Sequence, residues 1–250
     1  MFKRLAFALG APLLFTTVMV TGAGAQEGAV CIFDPEAPPA PATITGAGTI
    51  FGTAGPDVIV GSEGSDSIFG LGGDDIICGQ GGNDLLDGGE GDDILVGDDA
   101  SAGPPFGPGG SDTLIGGPGN DGLFGLGGGD TMIGGAGDEI IIGFGGDDRV
   151  LAGDGDDTVF AGPGSDLVLG DDGEDELWGN FGSDRIFGGD DDDVIDGDNP
   201  FPPEAGPPGG PQTNPGGNED ACFGGNGDDD IFNCESGDPS VDREPGDFEM

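Results

Sequence analysis

The sequence predicts an all-β fold, in which short strands wind into a coil and stack as two facing parallel sheets. Three observations predict it. First, Gly70–Val96 reads GLGGDDIIC, GQGGNDLLD, GGEGDDILV, three nine-residue units in one register. Each has Gly at position 1, Gly at position 4, Asp at position 6 and a large aliphatic residue at position 8. Second, this register runs through most of the 250 residues, and a fixed period is the signature of a repeat architecture. Third, 59 Gly and 20 Pro would suggest disorder in an aperiodic chain, but here the glycines are periodic.

The unit makes physical sense when split after position 6. Positions 7–9 form a three-residue strand, with position 8 facing opposite to 7 and 9. Positions 1–6 form a turn. Glycine at 1 and 4 opens backbone angles closed to other residues and lets neighbouring turns approach closely. Nine residues cover one strand and one turn, so two units complete a coil. Stacked coils place the position-8 side chains between the two sheets. One aliphatic residue in nine is a thin core against the backbone entropy of a glycine-rich chain. The stacked carboxylates also repel one another. The fold is therefore expected to need a ligand, with metal binding and folding as one equilibrium.

Taken in order, residues 1–25 read as a secretory signal peptide. Lys3 and Arg4 precede the apolar run Leu5–Val20, and Ala23–Ala25 supplies an A-x-A cleavage site. The matching localisation is extracellular, by the general secretory route. Residues 26–42 form a Pro-rich leader. Residues 43–96 hold a degenerate capping unit, with Gly48 at the Asp position, and the first five complete units. Residues 97–106 read as a loop insertion, and 107–196 as ten more units of the main roll. Residues 197–223 read as a second, Pro/Gly-rich insertion, 224–234 as a last repeat, and 235–250 as an acidic tail. Position 8 is Ile, Leu, Val or Met in all sixteen units. The four cysteines of an exported chain favour disulfides. Proximity prefers Cys31–Cys78 and Cys222–Cys234 among the possible pairings.

Charge narrows the function. The formal net charge is −45, and loss of Lys3 and Arg4 with the signal peptide takes it to −47. Nucleic acid and anionic membrane surfaces are excluded, because both need Lys or Arg to meet their phosphates. No segment after the signal peptide is apolar for long enough to span a bilayer. The chain has no His, which removes Ser-His-Asp and Cys-His mechanisms and argues against a zinc site. Beyond the signal peptide it has no Lys for a phosphate loop, and its G-x-G-x-x-G strings are by-products of the nonapeptide. The position-6 carboxylates already have a structural task, so no enzyme is expected. The natural partner of so many carboxylates is a hard cation bound through oxygen. An open turn of carboxylates and carbonyls suits calcium better than magnesium, which keeps its waters.

The units resemble the nonapeptide G-G-x-G-x-D-x-U-x of the RTX (repeats-in-toxin, haemolysin-type) calcium-binding proteins. The resemblance implies a parallel β-roll, a calcium-binding β-solenoid, in which each ion lies between stacked turns of units n and n+2. It takes Asp side chains and backbone carbonyls. Carried over residue by residue, the ligand role falls on the position-6 side chains. These are Asp57, Asp66, Asp75, Asp84, Asp93, Asp112, Asp121, Asp130, Glu139, Asp148, Asp157, Asp166, Asp175, Asp184, Asp193 and Asp229. The n/n+2 rule implies roughly eleven calcium ions if the insertions interrupt the roll and roughly fourteen if it runs through them. Three departures stand out. Glu139 is one methylene longer than Asp, and Asp191 puts a β-carbon where Gly is expected, so those sites are expected to be weak. An N-terminal signal also replaces the C-terminal signal of many RTX proteins, which weakens a toxin reading.

The reading is a secreted calcium-binding RTX repeat protein whose β-roll folds on calcium and acts as a structural or interaction module. The alternative is a calcium-dependent accessory part of a secreted hydrolase or toxin system. Position 9 points outward yet is largely apolar. Phe124, Ile142, Phe160 and Trp178 belong to alternate units and are expected to stack in one row. Strand propensity and partial cover from neighbouring coils account for such a row; left exposed, it would instead serve self-association or contact with another surface.

Overall fold

A computed structural model describes residues 16–17, 32–33, 43–98, 109–197, 220–227, 229–232 and 234. The expected signal peptide and leader, with Cys31, lie outside the described residues except for the paired two-residue strands β1 (Thr16–Thr17) and β2 (Ile32–Phe33). The acidic tail lies outside them too.

From residue 44 onward the chain is a run of short strands. They are β3 (Ile44–Thr45), β4 (Thr49–Phe51), β5 (Val58–Ser62), β6 (Ser67–Gly72), β7 (Ile76–Gln80), β8 (Leu85–Glu90) and β9 (Ile94–Asp98). Then follow β10 (Thr113–Pro118), β11 (Gly122–Gly127), β12 (Thr131–Ala136), β13 (Ile140–Gly145), β14 (Arg149–Asp154) and β15 (Thr158–Gly164). The last are β16 (Leu167–Asp172), β17 (Glu176–Gly182), β18 (Arg185–Asp190), β19 (Val194–Asp196), β20 (Ala221–Asn226) and β21 (Asp230–Phe232). Even-numbered strands from β4 to β20 form a nine-stranded sheet, and odd-numbered strands from β3 to β21 form a ten-stranded one. Every pairing in both sheets is parallel and joins strands two apart in the chain. Two units therefore make one coil, as the nonapeptide predicts, and the fold is an all-β parallel β-roll.

Position 8 builds the core. Ile59, Ile68, Ile77, Leu86, Leu95, Leu114, Leu123, Met132 and Ile141 are all 0 % exposed, and the same holds through Ile195. Each faces its counterpart one coil away, as in Ile59↔Ile77 and Leu123↔Ile141. The strands are longer than three residues because the ladder continues into the turn. Gly117 pairs with Gly135, and Pro118 with Ala136.

The roll is continuous through both insertions. Leu86 pairs with Leu114, and Ile186 with Cys222. Two boundaries differ from the sequence reading. Gly97 and Asp98 complete β9 rather than opening a loop, and Gly109 and Gly110 close that turn, with the Gly110 amide donating to Asp98 at 3.1 Å. The undescribed stretch is therefore 99–108. Residues 220–223 belong to an additional unit, with Asp220 at position 6, Cys222 at position 8 and Phe223 at position 9. Cys222 is 3 % exposed within the main core and is bonded to Cys234, with the Cα atoms 6.0 Å apart. Cys78 is also disulfide-bonded; Cys31, its expected partner, lies outside the described residues.

The outer position-9 row is in register, with Phe124 beside Ile142, Ile142 beside Phe160 and Phe160 beside Trp178. The Phe160 and Trp178 rings stack at 4.5 Å. Neighbouring coils partly cover the row, as the first of its two sequence readings expects. Ile142 is 8 % exposed, and Phe124, Phe160 and Trp178 are half-buried. Parallel strands one coil apart bring large side chains against each other, so each ring covers its neighbour.

Candidate metal centre

The position-6 carboxylates stand in two columns, one at each turn edge of the roll. One column runs Asp57, Asp75, Asp93, Asp121, Glu139, Asp157, Asp175, Asp193, Asp229. The other runs Asp66, Asp84, Asp112, Asp130, Asp148, Asp166, Asp184, Asp220. Apart from the step into Glu139, a single hydrogen bond sets the spacing throughout. The Oδ1 of each Asp accepts the main-chain N–H of the position-6 residue one coil earlier, at 2.8 Å for Asp75, Asp84 and Asp130. The n/n+2 relation expected from sequence is thus the geometry of the fold.

The second oxygen is different. Among the described residues, the Oδ2 atoms of Asp75, Asp84, Asp93, Asp112, Asp121, Asp130, Asp148, Asp166, Asp175 and Asp193 are buried without a hydrogen-bond partner. A buried carboxylate oxygen left unpaired carries its full desolvation cost. Burial pushes Asp84, Asp93, Asp130 and Asp175 up to about 7, against the amide hydrogen bond each accepts and with neighbouring carboxylates adding to the rise. It takes Asp112 and Asp166 to about 8. Glu139 is raised to about 9, by burial first and by the charges of Asp157 and Asp121 next. Its extra methylene takes the carboxylate out of the Oδ1 ladder and brings it against the Asp157 side chain.

Glycine at position 1 is explained by the same oxygen. A β-carbon on Gly70, Gly79 or Gly88 would stand 2.2–2.3 Å from the Oδ2 of Asp75, Asp84 or Asp93. In most units the carboxylate therefore lies flat on the glycine backbone of its own turn. The exceptions are Ala152 and Ala161, whose methyl groups are buried in the core.

These columns fit a cation. Among the described residues no three Asp, Glu, Cys or His side chains converge, so carboxylates meet along the axis and turn carbonyls must complete any coordination. The RTX calcium-binding nonapeptide repeat profile matches residues 44–101 and 106–199, in overlapping segments that together span more than half of the sequence. The chain belongs to the RTX calcium-binding nonapeptide repeat family. No curated protein matches it significantly over its length.

All sixteen sequence-predicted position-6 residues of this RTX chain lie in the two columns. The sequence reading missed Asp220, which occupies the rung above Asp184. Skipping it would have put Asp229 above Asp184, on the wrong edge; Asp229 lies above Asp193. The signal that could have found it was Asp220-x-Cys222-Phe223, the 6-8-9 pattern with a cysteine in the core place. Pro215 and Asn218 at the glycine positions concealed it. At the other end, Asp57 and Asp66 differ from their successors. The Asp57 carboxylate accepts from the Thr43 hydroxyl at 2.9 Å and the Thr53 amide at 2.7 Å. Asp66 accepts from the Ser62 amide at 2.6 Å and the Ser62 hydroxyl at 3.0 Å, and also from the Gly48 amide.

Proposed function

We propose that this RTX repeat chain is an exported module that folds on binding calcium and serves as a structural or interaction element without catalysis of its own. The observation that carries the proposal is the pair of carboxylate columns with, among the described residues, a buried, unpartnered oxygen on most rungs from Asp75 to Asp193. A divalent ion beside each such oxygen would supply the missing partner and cancel the repulsion along the column. The residues proposed to hold the ions are Asp75, Asp84, Asp93, Asp112, Asp121, Asp130, Asp148, Asp157, Asp166, Asp175, Asp184, Asp193, Asp220 and Asp229, with Glu139 as the weakest place. The chain's own part is to hold each carboxylate flat on a position-1 residue and to keep coils in register through the Oδ1 bonds.

Export fits the rest of the proposal. An acidic repeat that collapses only with calcium can remain extended while it crosses a membrane and then fold outside. Contact with a second copy through the half-exposed rings of Phe124, Phe160 and Trp178 belongs to the same proposal. A monomeric sedimentation profile at high concentration and saturating calcium would remove that part.

The test is a titration of residues 26–250 with calcium and with magnesium, read by circular dichroism and Trp178 fluorescence. A cooperative, calcium-selective gain of β signal is expected. A signal that ignores both ions, or responds equally to both, refutes the proposal.

A further inference from the structure

The turns of this roll come in two forms. From Leu71 onward position 2 is left-handed almost throughout, whatever residue stands there. φ is 82° at Leu71, 86° at Gln80, 107° at Gly89, 78° at Leu126 and 68° at Phe144. A left-handed Leu or Phe is costly, so the fold imposes this conformation against side-chain preference. Position 4 is left-handed in most of these units too, at 98° in Gly73 and 113° in Gly82, though not at Gly164 or Gly227. The first two units break the pattern. Thr53 and Ser62 at position 2, and Gly55 and Gly64 at position 4, all lie outside the left-handed region.

The two forms dispose of the carboxylate differently. In the left-handed form, the Oδ2 of Asp75 and Asp84 is buried and unpartnered. In the first two units the position-2 amide turns inward and donates to the Oδ2 of its own Asp, from Thr53 to Asp57 at 2.7 Å and from Ser62 to Asp66 at 2.6 Å. The hydroxyls hold that form in place. Thr53 Oγ1 donates to the Gly55 carbonyl at 3.1 Å and accepts the Gly55 amide at 3.3 Å. Ser62 Oγ likewise accepts the Gly64 amide at 3.3 Å, and its one proton is shared between the Gly64 carbonyl at 3.3 Å and the Asp66 carboxylate at 3.0 Å. A Ser or Thr side chain bonding the backbone two residues on is a local turn in its own right. The other oxygen of Asp57 is closed by Thr43, and that of Asp66 by Gly48.

We infer that the first coil is a cation-free cap, in which Thr53 and Ser62 switch the turn to a self-satisfied form, and that calcium binding begins at Asp75 and Asp84. The inference rests on the proposed calcium reading and limits it. Thr53 and Ser62 are positioning residues: they act by filling the oxygen that a cation takes elsewhere. The additional unit at Asp220 brings the inter-coil carboxylate pairs to about fifteen, and a cation-free first coil leaves about thirteen for calcium. The cap also ends both columns without an exposed, half-coordinated ion at the open edge.

The experiment counts calcium bound per chain on residues 26–250, by equilibrium dialysis and by native mass spectrometry. D57N/D66N is expected to bind as many ions as the wild type, whereas D75N/D84N is expected to lose two. Equal losses in the two double variants overturn the inference. A crystal structure at calcium saturation gives the same answer without a variant. No ion beside Oδ2 of Asp57 or Asp66 is expected, and an ion at either overturns the inference. A wild type that binds no calcium at all overturns the proposed function along with it, so the two failures are distinguishable.

Discussion

Acid is expected to replace calcium in this fold. In the cation-free roll, burial raises Asp84 from 3.8 to about 7 and Asp112 from 3.8 to about 8. Similar rises recur along both columns, to about 6 at Asp121 and Asp148 and about 7 at Asp130 and Asp175. The sign follows from linkage. A carboxyl raised in the folded state binds its proton there while the unfolded chain has already released it. The stabilisation is fully present below the unfolded value of 3.8 and is lost as pH rises through about 6 to 8. One carboxyl moved by about three units disfavours the ionised fold by on the order of 4 kcal/mol at most, and water reaching these part-covered groups reduces that figure. Several such groups together exceed the net stability of an ordinary domain. The assay is circular dichroism in EDTA from pH 8 to pH 4, with Trp178 fluorescence as the tertiary probe. β signal is expected to rise as the pH falls through 7, and the calcium midpoint is expected to climb over the same interval because protons and calcium compete. A cation-free chain that is folded at pH 8 and unfolds on acidification refutes the reasoning.

Three substitutions test other parts of the fold. Leu123→Ala removes a fully buried core side chain, and the lost contacts with Leu95 and Ile141 are expected to cost about 2–5 kcal/mol, read as a higher calcium midpoint for the β signal. Gly146→Ala puts a β-carbon 1.4 Å from the Gly128 carbonyl oxygen at φ 144°, and hydrogen exchange is expected to show lost protection in the coils on either side of it. Cys234→Ser opens the Cys222–Cys234 bond across twelve residues, and the loss of about 3 kcal/mol of loop-closure stabilisation is expected to free the last two strands first, seen by limited proteolysis at higher calcium than the wild type needs.

The repeat made most of this protein legible in the sequence. A period of nine with one aliphatic residue and one Asp in phase admits few structures, since position 8 must be buried and position 6 must sit at the turn–strand junction. Parallel sheets, two units per coil, the core rows and the two carboxylate columns all follow from that local pattern, because each unit's contacts are with its own coil and the coils on either side of it. Two things did not follow. The unit containing Asp220 was hidden because pairing with β18, rather than glycine spacing, makes it a rung; Cys222 fills the core place by contact with Ile186. The difference between the first coil and the rest was invisible because Asp57 and Asp75 occupy identical positions in their nonapeptides. Only the fold brings Thr43, fourteen residues away in the chain, onto one carboxylate while leaving the other with an oxygen that accepts no hydrogen bond from the described residues.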